Sequence, residues 1–71
     1  MSARPEADFA VILANTLQTH HQLGCDIAIT AAALGIHRST VRYRLHRIRG
    51  LTGLEPTDLE SLQTLLDITE L

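Results

Sequence analysis

Five arginines crowd into twelve residues of this chain: Arg38, Arg42, Arg44, Arg47 and Arg49. No acid interrupts residues 38–49, so the segment carries a formal charge of +5. The rest of the 71-residue chain sets all eight acidic side chains against Arg4 alone, a balance of −7 hidden inside the net charge of −2. There is no lysine. Arginine presents a planar fork of donors that matches a phosphate or the O6/N7 edge of guanine, which a lysine ammonium meets only as a point charge. A basic helix is ordinarily just a solvated face. Here that reading would have to explain a cationic cluster without one neighbouring acid in an otherwise acidic chain, so the segregation marks a surface for a polyanion.

Other residue types offer less chemistry. Cys25 is the single cysteine, so no intrachain disulfide forms, and no histidine stands at a recognisable spacing to make it a nucleophile. It reads as a small turn residue. His20 and His21 are adjacent and diverge by about 100° on a helix, so they do not form an i, i+4 metal pair. No nucleophile–base pair or carboxylate constellation appears. The chain is therefore expected to be no enzyme, with no metal and no cofactor.

Four helices are expected to position the arginine cluster, at about residues 5–22, 26–34, 38–50 and 57–70, within one domain spanning 1–71. The first opens on Pro5, with Glu6 and Asp8 complementing its positive end. Phe9, Ile12, Leu13, Leu17 and His20 share a face, and Gly24 suits a left-handed cap. The second begins at the N-cap Asp26 and stops at Gly35; its three consecutive alanines make a thin surface that another helix can approach. In the third, Val41, Leu45 and Ile48 recur at i, i+4, i+7 and face the core. The fourth follows Pro56, with Thr57 and Glu60 spaced as a capping box and Leu59, Leu62, Leu65 and Leu66 as its apolar stripe. The fold class is all-α: a four-helix helix-turn-helix domain with a tri-helical, homeodomain- or Fis-like core.

A helix, a glycine turn of two or three residues and a basic helix form the layout of a helix-turn-helix. Ala31 is small where the helices cross, Gly35 turns the chain, and Ile36 and Val41 lock the second helix on the first. One position departs from the common pattern: Arg44 stands where many such units have an apolar residue, and Leu45 serves instead. The run TAAALGIHRSTVRYRLHRIRGLTGL, residues 30–54, resembles the C-terminal helix-turn-helix of PucR-type bacterial transcription regulators, the sugar-diacid regulators among them. It keeps that family's pattern at every fixed position except Ser39, where the family usually has asparagine. Serine retains a hydroxyl but loses the bidentate amide that would favour adenine. The Fis-type helix-turn-helix is a weaker likeness. The PucR resemblance covers nearly the whole chain and implies transcription regulation by operator binding, in proteins that carry sensor regions ahead of this module.

The wheel of the third helix sorts its side chains. Base readout is expected from Arg38, Ser39, Arg42 and Tyr43 near its start, because recognition helices read mainly with their N-terminal residues. Thr40, His46, Arg47 and Arg49 are expected to contact phosphate, which positions without specifying. His37 reads equally as a cap or a phosphate contact. Arg44 lies about 60° from the core direction, so its stem should pack while its head pairs with Asp58, Glu60 or Asp67. Asp26 would repel DNA and reads only as a cap; the amides near it suit a phosphate.

The partner implied is double-stranded DNA, met as a homodimer on paired half-sites because one small module binds weakly. The runner-up is a protein-interaction or dimerisation module using the leucine face of the fourth helix, since Ile68 and Leu71 fall partly outside its stripe. RNA is disfavoured: Phe9 and Tyr43 are the only aromatic residues, too few for a stacking platform. No run approaches the roughly 18 apolar residues of a membrane span. Glu6 and Asp8 sit where a signal peptide would be apolar, and one cysteine fits a reducing compartment. A cytoplasmic location is expected.

Overall fold

A computed structural model describes the backbone of residues 5–69 and the side chains of residues 9–67. It contains four helices, α1 (Pro5–Gln22), α2 (Ile27–Leu34), α3 (Arg38–Thr52) and α4 (Leu59–Thr69). Helix α1 packs against all three others, and α2 and α4 each pack on α3. The first, second and third helices begin within one residue of expectation. Helix α3 continues through Gly50 to Thr52 before Gly53 ends it, with φ of 71° and its N–H on the Arg49 carbonyl.

The core is built from Leu13, Ala14, Leu17, Ile48 and Leu65, with Phe9, Leu45 and Leu62 packed around it. Leu13, Leu17, Val41, Ile48 and Leu65 are fully buried, and each contributes about 1.5–3 kcal/mol by leaving water. Ile12 does not join them: it is 42% exposed. It is rotated about 100° from Leu13 on the wheel, and Ala10, Ala14 and Thr16 are buried instead.

Helix α4 departs further. It begins at Leu59, so Thr57 lies in the preceding turn and is out of register for the capping box with Glu60. That turn is closed by Asp58 N–H on the Glu55 carbonyl at 2.9 Å, and Ser61 reaches back to the Asp58 carbonyl through N–H at 3.1 Å and Oγ at 2.6 Å. The buried face therefore centres on Ser61 and Leu65. Leu59 and Leu66, about 140° and 120° from that centre, are 72% and 40% exposed. The expected contribution of Leu71 falls outside the described residues, as does the side chain of Ile68.

The α2–α3 corner follows from its small residues. Asp26 caps α2 by accepting from Ile29 N–H at 2.9 Å. Thr30 and Ala31 are buried, letting α2 sit close on its neighbours. Gly35 takes φ of 69°, which a side chain would disfavour, and its N–H turns back to Ala31 and Ala32 carbonyls while Ile36 N–H bonds Ala31 at 3.1 Å. Two residues later α3 begins. The turn between α1 and α2 places both Gly24 (φ 77°) and Cys25 (φ 61°) in the left-handed region. A non-glycine residue there costs about 1–2 kcal/mol. Cys25 is held by its N–H on the His20 carbonyl at 2.8 Å.

Candidate nucleic-acid interface

Helix α3 is anchored by one face and open on the other. Val41 and Ile48 are buried and Leu45 half-buried, while Arg38, Ser39, Arg42, Tyr43, His46, Arg47 and Arg49 are exposed and Thr40 is half-buried. Tyr43 leaves 56% of its surface to solvent. The sequence-derived positions thus lie on one helix, almost all on its outer side, with no acid in its first turn to offset the dipole's positive end.

The N-terminus of α3 is capped by His37. Its Nδ1 accepts from Ser39 N–H at 3.1 Å and lies 2.9 Å from Ser39 Oγ. The structure thus gives His37 the cap that sequence left level with a phosphate contact, and both residues remain exposed.

Three arginines are held in distinct ways. Arg44 is half-buried and structural, but its partner is not an acid: Nη1 donates to Thr16 Oγ1 on α1 at 3.0 Å. The pairing expected with Asp58, Glu60 or Asp67 fails because the guanidinium points toward α1, where a buried hydroxyl awaits it. Arg47 lies over the ring of Phe9, 5.9 Å from its centroid, an arrangement worth about 0.5–1 kcal/mol at an exposed site. Arg49 makes the one ion pair among the described residues, Nη2 to Glu55 Oε2 at 3.2 Å, with both side chains well exposed at 63% and 57%. Arg38 and Arg42 have no acid against them among the described residues, so the start of the helix carries its least compensated charge.

Thr16, Phe9 and Glu55 were not legible as supports of this face. Thr16 has no spacing that ties it to Arg44, Phe9 reads as part of the α1 core face, and Glu55 is brought to Arg49 by the Gly53 bend. Behind the site, His20 is buried at the α1–α2 junction with Nδ1 3.2 Å from Thr30 Oγ1. Its pKa is lowered chiefly by burial and further by His21, against a smaller opposing pull from Asp26. Among the described residues no helix is long and apolar enough to cross a membrane.

Comparison with known proteins points to one family. A family model described as the PucR C-terminal helix-turn-helix domain matches residues 13–67. An uncharacterized protein of Haemophilus influenzae is 46% identical over 43 residues, covering 61% of this chain and 12% of its own length. Uncharacterized proteins of Mycobacterium bovis and Mycobacterium tuberculosis are each 44% identical over 54 residues, covering 76% of this chain and 13% of their own. The chain thus spans about an eighth of the length of the curated relatives it matches. No solved structure gives a significant match.

Proposed function

The chain belongs to the PucR C-terminal helix-turn-helix domain family, which implies the role of a DNA-binding regulator, and from that premise we propose that it binds operator DNA sequence-specifically with α3 in the major groove. The observation that carries this reading is the exposed, acid-free start of α3, set on a corner that Gly35 and the small α2 residues hold. Arg38, Ser39, Arg42 and Tyr43 face base edges. Arg42 supplies a bidentate guanine contact, worth about 1–3 kcal/mol of discrimination. Thr40, His46, Arg47 and Arg49 face phosphates. The half-burial of Arg44 and its bond to Thr16 give it a positioning role instead. The module acts in the cytoplasm as part of a longer regulator and dimerises on paired half-sites.

Titration with duplex DNA at several salt concentrations tests the reading. Binding should weaken as salt rises, with log K falling by about 0.9 per phosphate neutralised. Salt-independent affinity, or none at about 50 mM salt, would overturn it. The exposure of Leu59, Leu66, Val11 and Ile12 favours a second reading, a self-association module. That reading predicts oligomers whose sedimentation ignores DNA.

A further inference from the structure

The two contacts between His37 and Ser39 fix where every proton of the pair resides. A backbone N–H can only donate, so the bond from Ser39 N–H requires His37 Nδ1 to offer its lone pair. The neutral ring then carries its proton on Nε2. Because Nδ1 has no proton to give, its 2.9 Å contact with Ser39 Oγ must use the serine's own hydroxyl hydrogen. Both donors share one nitrogen, and the only proton of the Ser39 side chain is turned inward.

An unrestrained hydroxyl is both donor and acceptor and discriminates poorly between bases. Here the inward proton leaves Oγ with lone pairs alone to present outward, on an exposed side chain at the second residue of α3. In the major groove the only donors are the exocyclic amines, N6–H₂ of adenine and N4–H₂ of cytosine; guanine and thymine show acceptors through N7, O6 and O4. We propose that Ser39 is a specificity-determining residue that accepts a hydrogen bond from the exocyclic amine of adenine or cytosine and disfavours guanine and thymine, with His37 as the positioning residue that makes it an acceptor only. The inference rests on the reading of α3 as the groove helix.

The test is selection of bound duplexes by the whole chain and by Ser39→Ala and His37→Gly, followed by affinity measurements with each base at the position that responds. Glycine is tolerated at a helix N-cap, so His37→Gly keeps the helix start while releasing the hydroxyl proton; circular dichroism checks that it stays folded. Wild type should prefer adenine or cytosine at one position of the contacted strand by about fivefold, the worth of one net hydrogen bond. Ser39→Ala should level the four bases there. His37→Gly should admit guanine and thymine. Where adenine is selected, purine lacking the 6-amino group should bind about as weakly as guanine; where cytosine is selected, removing the 4-amino group should do the same. Salt-dependent binding in which Ser39→Ala alters no preference, or alters one for guanine or thymine, overturns the inference alone. An unchanged preference in His37→Gly removes the role given to His37. Loss of DNA binding by every protein, wild type included, overturns the groove reading and this inference with it.

Discussion

The guanidinium of Arg44 donates through Nη1 to Oγ1 of Thr16 at 3.0 Å, joining α3 to α1 across 28 residues of chain. Thr16 is 1% exposed, and its hydroxyl donates to the Ile12 carbonyl at 2.8 Å. This buried hydroxyl is thus satisfied as donor and acceptor, and the bond ties α3 to α1 on the side opposite its outer face. Thr16→Val keeps the shape and removes both bonds. It should destabilise the domain by about 1–2 kcal/mol, a fall in Tm of roughly 5–15 °C for a domain of this size. An unchanged Tm would show that the bond carries no weight.

Gly35→Ala isolates the cost of the corner. A Cβ built at Gly35 meets nothing within 4 Å, so the penalty is purely that of holding φ at 69°. We expect a loss of about 1 kcal/mol in denaturant unfolding, with the folded α2–α3 geometry retained. A loss several times larger would mean that the corner itself rearranges.

The legibility of this molecule follows from where its signals are local. The turn at Gly35, the cap at Asp26 and the apolar i, i+4, i+7 pattern of α3 are each written in a few neighbouring residues, and the helix-turn-helix followed from them. The fourth helix was read less well because the Thr57–Glu60 spacing is a local signal, whereas the start of the helix is set by the turn that Glu55 and Asp58 close. The buried face of α1 keeps Leu13, Leu17 and His20 but extends over Ala10 and Ala14 and leaves Ile12 exposed, which depends on the helices packed against it. The partners of Arg44 and Arg49 were illegible for a different reason. One is a neutral hydroxyl on another helix and the other lies around the Gly53 bend, so neither has a spacing that announces it.

His20 links stability to pH. Burial and the neighbouring His21 lower its pKa below 6.5, with Asp26 opposing. The unfolded chain therefore binds a proton more readily than the folded one, and stability rises with pH wherever that holds. The contribution is full above about pH 6.5 and is lost as pH falls through the folded-state value. His20→Gln does not titrate. Subtracting its unfolding free energy from that of wild type should give a difference that declines below about pH 6.5. A flat difference would show that His20 ionises as easily folded as unfolded.

Arg42 and Arg47 should separate readout from positioning. Arg42→Ala should lower affinity and relax preference at one base pair, while leaving stability within about 0.5 kcal/mol. Arg47→Ala should weaken all sequences alike and reduce the salt slope by about 1. It should also cost about 0.5–1 kcal/mol of stability, because the guanidinium leaves the Phe9 ring. Identical binding profiles for the two variants would contradict the assignment of one to bases and the other to phosphates.

Glu55 restrains the far end of the same face. It holds Arg49 at 3.2 Å and sets a negative charge beside a helix that otherwise attracts phosphate. Because both partners are well exposed, the pair should contribute little to folding, as surface pairs generally do. Its effect on binding is larger. An Arg49 released from Glu55 has its charge available to DNA, and the carboxylate no longer repels the backbone. Glu55→Gln should therefore tighten DNA binding several-fold at low salt and steepen the salt dependence by up to about 1, with Tm nearly unchanged. The gain should shrink as salt rises, since screening already weakens both the pair and the repulsion. The paired variant Arg49→Gln should lose affinity and be insensitive to the further change Glu55→Gln if the two side chains act only through each other; any remaining gain in the double variant measures the direct repulsion between Glu55 and phosphate. Binding weakened by Glu55→Gln would mean that the carboxylate orients Arg49 for its phosphate, and the sign of the competition argued here would be reversed.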